Sequence, residues 1–323
     1  MPLTIWCNAK FSDVAEQSLR EGMRGHRLIF SSATSANVLD VGEGDPRLAE
    51  ADVAFGQPDA EECMRCPRLK WIEVTSAGYT RYDREDFRMA LRARGAAFTN
   101  ASSVFSEPCA QHVLAFMLAV GRNLFPSYRD QLTDHSWHYE ERRQNAQLLT
   151  GQTVLMLGFG AIGRRLAELL APFRMQVFAV RRQTRSEPGV RIISEEELTR
   201  VLPLADHVVN ILPDNETTRG YVNARRLSWF KAGAKFYNIG RGTTVDQRAL
   251  LEALQGGGLG ATCLDVTDPE PLPPEHPLWT TPNCFITSHT AGGRHDQDEA
   301  LTRHFLDNLA AFVSGGGLSD RVI

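Results

Sequence analysis

Thr153-Val-Leu-Met-Leu-Gly158-Phe159-Gly160-Ala161-Ile162-Gly163 is the stretch from which the rest of the chain can be read. Five mostly apolar residues form a strand pattern, three glycines follow at GxGxxG spacing, and Ile162, Leu166, Leu169 and Leu170 continue at a helical period. Strand, glycine turn and helix in that order are the setting a dinucleotide fingerprint requires. Gly158 permits the tight turn, Gly160 lets backbone approach a pyrophosphate, and Gly163 allows the helix to pack closely on the sheet. The residues Phe159 to Gly163 then offer unpaired N–H groups and a positive dipole end to the phosphates. A second strand pattern, Gln176–Val180, ends where an acid usually reads the ribose hydroxyls, and the residue there is Arg181.

Working outward, apolar strands alternate with helical segments on both sides of this stretch. Before it lie strand patterns at Leu3–Cys7, Arg27–Phe30, Asp52–Phe55, Trp71–Thr75 and Ala97–Thr99, with helical patterns at Asp13–Arg20 and Tyr82–Arg94. From Thr153 a second series runs through Gln176–Val180, His207–Ile211, Lys235–Asn238, Ala261–Leu264 and Cys284–Thr287. Such alternation predicts parallel sheets covered by helices. The expected class is α/β with two doubly wound domains and an active-site cleft between them. A flavodoxin-like substrate domain is expected from residues 1–103 plus 291–323, and a Rossmann dinucleotide-binding domain from 104–290. Between the two series Glu107–Leu124 has a helical period and more apolar residues than a helix with one wet face needs. It is read as a core helix linking the domains, followed by a polar arm at Tyr128–Glu141. A last helix is expected at Gln297–Val313.

Composition excludes several classes. The 323 residues suffice for two cores, and 42% apolar with 23% charged is a globular mixture. A net charge of -4 gives no support for nucleic-acid binding. The longest wholly apolar run, Val113–Val120, is far too short to span a bilayer, so no membrane partner is expected. The N-terminus carries a strand pattern with no signal-peptide character, and a cytoplasmic location is expected. Six cysteines over this length make no disulfide scaffold. Cys63-Met-Arg-Cys66 has no second CxxC and reads as two ordinary thiols, and His135 and His138 lie in what looks like a surface excursion. No metal is expected.

Three further segments turn a fold into an enzyme: Tyr237-Asn-Ile239-Gly240-Arg241-Gly-Thr-Thr-Val-Asp246, Leu264-Asp265-Val-Thr-Asp-Pro-Glu270-Pro-Leu-Pro273, and Ile286-Thr-Ser-His289-Thr-Ala-Gly292-Gly293. Each follows a strand pattern and so falls at the carboxyl edge of the sheet, where open α/β sheets bind ligands. A forked guanidinium such as Arg241 can grip a planar carboxylate through two hydrogen bonds. An imidazole such as His289 titrates near working pH and is suited to carry a proton.

With these segments, Thr75-Ser76-Ala77-Gly78, Leu212-Pro213 and Thr218-Arg-Gly220, the sequence resembles the D-isomer-specific 2-hydroxyacid dehydrogenases, and its basic loop from Arg181 resembles that of the glyoxylate/hydroxypyruvate reductases. The resemblance covers almost the whole chain. It implies that Arg241 binds the substrate carboxylate, that His289 is the acid/base and that Glu270 partners it. It implies substrate contacts from Ser76, Ala77 and Gly78 as well as from Arg241 and His289. Cofactor contacts are implied for Gly158, Phe159, Gly160, Ala161, Ile162, Gly163, Leu212, Pro213, Thr218, Ile239, Gly240, Asp265 and Gly292, with Asp265 reaching the nicotinamide carboxamide.

The segment Arg181-Arg182-Gln-Thr184-Arg185 sets three guanidinium groups and a hydroxyl where the ribose-reading acid would stand, with no carboxylate before Glu187. Arg181, Arg182 and Arg185 are therefore expected to favour NADP(H), with NAD(H) possible. Departures from the family pattern are Gln111 in place of an acid, Asp214-Asn215 after Leu212-Pro213, and Tyr79-Thr80 after the Ser76–Gly78 turn. The expected function is NADPH-preferring reduction of small 2-oxoacids to D-2-hydroxyacids by a homodimer, glyoxylate or hydroxypyruvate leading as substrate. The alternatives are a dinucleotide-sensing corepressor-like protein and a phosphonate-dehydrogenase-like oxidoreductase.

Overall fold

The computed structural model describes residues 2–35, 44–181 and 186–323. They divide into two compact units, Met1–Phe105 with Arg294–Ile323, and Ser106–Gly293.

In the first unit, β1 (Thr4–Ala9), β2 (Arg27–Ser35), β3 (Val53–Gly56), β4 (Trp71–Val74) and β5 (Ala97–Thr99) form a parallel sheet ordered β2-β1-β3-β4-β5. This is the flavodoxin-like order, in which the winding reverses at β1. Side chains alternate across the sheet as a strand's period of two dictates. Ile5, Cys7, Val53, Phe55 and Trp71 join a core with Phe305 and Leu309 of helix Gln297–Ser314, while Trp6, Ala54 and Ile72 join the opposite one. Phe305 stacks on Phe55 at 4.1 Å and on Trp71 at 5.2 Å between ring centroids.

The same helix brings a charge into this interior. His304 Nδ1 bonds Glu73 Oε1 of β4 at 3.0 Å, and its Nε2 lies 3.2 Å from Asp320 Oδ2. Burial opposes a charge on this ring, but the carboxylates of Asp320 and Glu73 outweigh it and push the His304 pKa up to about 9. Asp320 Oδ2 also accepts the N–H of Ser103 at 2.7 Å, and Asn100 Oδ1 that of Ser102 at 3.2 Å. These two acceptors start helix Ser102–Gly121 five residues before the expected Glu107, and the helix runs through Pro108 and stops short of Leu124. Asn100 is a local acceptor, but Asp320 stands 217 residues away from Ser103, which a local pattern cannot register.

In the second unit, β6 (Thr153–Leu157), β7 (Gln176–Val180), β8 (Arg191–Ile193), β9 (His207–Asn210), β10 (Ala234–Asn238), β11 (Leu259–Leu264) and β12 (Cys284–Ile286) form a parallel sheet ordered β12-β11-β10-β9-β6-β7-β8. Six strands were expected, and the seventh is β8. It is three residues long and pairs only with β7 at the sheet edge, too short to show a periodic signal. The polar arm expected at Tyr128–Glu141 contains two helices, Leu124–Leu132 and Tyr139–Gln144. The glycine turn follows β6, which pairs with β7 on one side and β9 on the other. That is where the winding reverses, the position at which such sheets bind ligands.

Candidate active site

The glycine turn is built as a cradle. Gly158 adopts φ +91°, and a Cβ there would meet Ile211 O at 3.2 Å, so neither the conformation nor the space admits a side chain. Gly163 packs so closely that a Cβ would lie 2.9 Å from Cδ2 of Phe159, whose ring is itself buried. Gly160 differs, because a Cβ there would meet no protein atom within 4 Å. Gly160 is also the N-cap of helix Ala161–Leu170, and no side chain caps that helix. The turn thus leaves open space over uncapped N–H groups, with Ala161 and Ile162 half-buried beside it, and this fits a pyrophosphate.

Arg241 follows β10 and is fixed by a buried polar network that sequence reasoning missed. Asn238 Nδ2 and Thr244 Oγ1 donate to Arg241 O at 3.2 and 2.6 Å, and Asn210 Nδ2 donates to Asn238 Oδ1 and Thr244 Oγ1 at 2.9 and 2.7 Å. The available signal was an Asn closing each of two adjacent apolar strands, β9 and β10. The Arg241 side chain donates to Gly240 O at 2.7 Å, and among the described residues no carboxylate reaches ion-pair distance of it. Burial pushes its guanidinium down, while the Glu270 and Asp214 carboxylates work the other way. A desolvated cation of this kind gains strongly from an incoming anion. Gly242 explains the closeness of Glu270's loop, since a Cβ at Gly242 would overlap Thr267 O at 1.8 Å.

His289 lies beyond β12, and its Nδ1 is 2.6 Å from Glu270 Oε1. The two side chains are each about one-third exposed, at 33% and 34%. His289 holds φ +54°, a left-handed conformation that costs a residue with a Cβ roughly 1–2 kcal/mol. Asp265, after β11, maintains it. Its backbone O accepts His289 N at 2.8 Å, its Oδ1 accepts Thr287 Oγ1 at 2.6 Å and Thr290 N at 2.8 Å, and its Oδ2 accepts Ala291 N at 3.0 Å. His112, from helix Ser102–Gly121, adds Nε2 to Thr287 Oγ1 at 3.1 Å. Because the Thr287 proton points to Asp265, His112 is the donor. Burial lowers its pKa, against the Asp265 carboxylate, which raises it.

The sequence model of the family described as D-isomer specific 2-hydroxyacid dehydrogenase, NAD binding domain, matches residues 114–291. The chain belongs to the D-isomer specific 2-hydroxyacid dehydrogenases. As a member of that family it is an NAD(P)-dependent oxidoreductase. It is 30% identical to a glyoxylate reductase of Pyrococcus furiosus over 80% of this chain and 76% of that protein. Among solved structures, a D-isomer specific 2-hydroxyacid dehydrogenase from Xanthobacter autotrophicus in complex with NADPH and MES superposes with TM-score 0.80 at 27% identity, covering 100% of this chain and 98% of that one. An NADPH-dependent glyoxylate/hydroxypyruvate reductase from Sinorhizobium meliloti in complex with NADP and sulfate superposes with TM-score 0.77 at 25% identity, covering 99% and 98%.

Within this dehydrogenase the other expected cofactor residues fall into two kinds. Leu212 and Pro213 follow β9, and Ile239 and Gly240 follow β10, where a Cβ on Gly240 would come 2.6 Å from Leu212 O. Gly292 is half-buried in the turn after Ala291. Thr218 is buried and donates to Pro213 O at 2.6 Å, and the Asp265 carboxylate accepts from Thr287, Thr290 and Ala291. Both of these side chains shape loops. Arg181 has no acid before Glu187 in the sequence, and its Nη1 lies 2.9 Å from Glu187 Oε1. Arg182 and Arg185 lie outside the described residues. In the first unit, Ser76 Oγ donates to Gly78 O at 2.6 Å, Asn100 Nδ2 to Ala77 O at 2.7 Å, and Gln57 Nε2 to Ser76 Oγ at 3.2 Å. The turn after β4 is thereby rigid.

Proposed function

We propose that this dehydrogenase reduces small 2-oxoacids to D-2-hydroxyacids, with NADPH preferred over NADH and a glyoxylate- or hydroxypyruvate-like acid as substrate. The observation that carries the reading is the 2.6 Å His289–Glu270 pair beside the desolvated Arg241, at the carboxyl edge of a dinucleotide-binding sheet. Arg241 grips the substrate carboxylate and orients the carbonyl, which supplies the advantage of proximity. When bound, the nicotinamide supplies the hydride to the carbonyl carbon. With Nδ1 committed to Glu270, His289 presents Nε2 as the atom that delivers a proton to the carbonyl oxygen, and Glu270 stabilises the imidazolium and holds the ring. The Ser76–Gly78 turn serves the substrate carboxylate with backbone N–H groups. Residues 1–103 and 291–323 act as the substrate domain, and 104–290 as the cofactor domain.

NADPH is favoured by Arg181 at the ribose-reading position and by the NADPH and NADP in the two superposed relatives. A homodimer is favoured by helix Ser102–Gly121 and the arm after it, where Leu124, Leu132, Trp137 and Leu148 are exposed. A cytoplasmic location suits a chain whose six cysteines are all unpaired. A panel of 2-oxoacids assayed with NADPH and NADH tests the activity. Oxidation of NADPH with glyoxylate or hydroxypyruvate that disappears in His289→Ala is the expected result. Cofactor binding without turnover on any 2-oxoacid rejects it.

A further inference from the structure

Two arginines of the cofactor region converge on a single acid of this chain. Arg181, the residue just past β7, places Nη1 2.9 Å from Glu187 Oε1, and Arg164 donates from Nε to the same oxygen at 3.3 Å. Arg164 directly follows Gly163 in helix Ala161–Leu170. The carboxylate therefore sits between the end of the second strand and the start of the first helix, the two elements that flank the adenosine ribose in a dinucleotide fold. Glu187 is held there by its backbone, which bridges to Val190 across a turn with Gly189 at φ +72°. It is also sheltered, since the side chains of Glu187 and Arg181 are 18% and 21% exposed.

We propose that Glu187 sets the balance between NADPH and NADH, as an internal anion that occupies the guanidinium groups a 2′-phosphate needs. This rests on the reading of Arg181 as a ribose-side cofactor residue. A phosphate monoester carries a charge of about −1.5 to −2 at neutral pH and seeks the same fork of N–H donors that Glu187 engages. For it to bind, the carboxylate must either leave Arg181 or remain within a few ångströms of a like charge. Both courses weaken NADPH binding. The unphosphorylated ribose of NADH offers hydroxyl donors, which a carboxylate accepts, so Glu187 can stay on Arg181 while serving them. One side chain thus penalises the phosphorylated cofactor and suits the other. The arginines at this position raise NADPH affinity only to the extent that Glu187 yields.

The test compares purified full-length wild type with Glu187→Gln and Glu187→Ala in calorimetric titrations with 2′,5′-ADP, 5′-AMP, NADPH and NADH. Both variants are expected to bind 2′,5′-ADP and NADPH roughly threefold to tenfold more tightly than wild type. Binding of 5′-AMP and NADH is expected to be unchanged or weaker. Unchanged or weaker 2′,5′-ADP binding in the variants overturns the proposal, because Glu187 would then be holding Arg181 in its phosphate-binding pose. Equal gains for 2′,5′-ADP and 5′-AMP overturn it as well, since the effect would not depend on the phosphate. The wild type's own preference between NADPH and NADH tests the Arg181 reading separately. The change of that ratio in the variants tests Glu187 whichever cofactor the wild type prefers.

Discussion

His289 Nδ1 lies 2.6 Å from Glu270 Oε1, and this bond commits one ring nitrogen to a carboxylate. Replacing Glu270 by Gln removes the charge that stabilises the imidazolium but keeps a hydrogen-bonding group of the same size. In steady-state kinetics Glu270→Gln should lower kcat about tenfold to a hundredfold with little change in KM for the oxoacid. His289→Ala should cost about 10²–10⁴ in kcat, the range of general acid–base catalysis. Wild-type kcat in Glu270→Gln would remove the carboxylate from the mechanism.

Arg241→Lys keeps the charge and loses the fork. A point-charge ammonium cannot reproduce two parallel hydrogen bonds to a carboxylate. The expected effect is roughly a hundredfold loss in kcat/KM with an elevated KM for the oxoacid and unaltered NADPH affinity. A loss confined to cofactor binding would place Arg241 elsewhere in the cycle.

Asp265→Asn tests the loop that carries His289. The carboxylate accepts from Thr287, Thr290 and Ala291, and an amide must turn an NH2 group towards at least one of those donors. Leaving a buried donor unmatched costs roughly 1–3 kcal/mol. A lowered melting temperature should accompany a fall in kcat, because the left-handed His289 loses its support. A variant with the wild-type melting temperature and kcat would show that the loop holds itself.

The His304 contact makes alkaline stability measurable. Its folded pKa of about 9 stands above the ordinary 6.5, so the stabilisation is fully present below pH 6.5 and is lost as pH rises through 9. The shift corresponds to on the order of 2–3 kcal/mol. Thermal melts between pH 6.5 and 9.5 should show a decline of several degrees in the wild type. That decline should be absent in His304→Gln, which is less stable at pH 6.5. Parallel curves for the two proteins would assign the alkaline loss to other groups.

Arg181→Asp restores an acid to the ribose-reading position. Fluorescence titrations should show NADPH weakened far more than NADH. Equal affinities before and after the change would reject a ribose-side role for Arg181.

Much of the fold was legible because parallel strands buried on both faces read as short apolar runs, as in Thr153–Leu157 and His207–Asn210. What escaped was held from afar or too short for a period. Helix Ser102–Gly121 begins early with Asp320 accepting the N–H of Ser103, and β8 is a three-residue edge strand. The candidate site was legible at Gly158, Gly160, Arg241, Glu270 and His289, where residue type and strand-end position coincide. It was opaque at Asn210, Asn238, Thr287 and His112, whose partners are distant in sequence.

The parallel α/β class and the glycine turn followed from the order of residues alone, and the family resemblance singled out Arg241, Glu270 and His289. Periodicity and turn chemistry are local properties, and a short motif carries them intact. Which carboxylate meets which cation did not follow, because pairing depends on the three-dimensional path of the chain. The carboxylate of Asp265 ties down the loop that bears His289 by accepting from Thr287, Thr290 and Ala291. Glu187 is the first acid after Arg181 in the sequence, and the turn at Gly189 brings it onto that guanidinium. Folding brings these charges together, and the energy of an ion pair depends on that distance and on the water left between them.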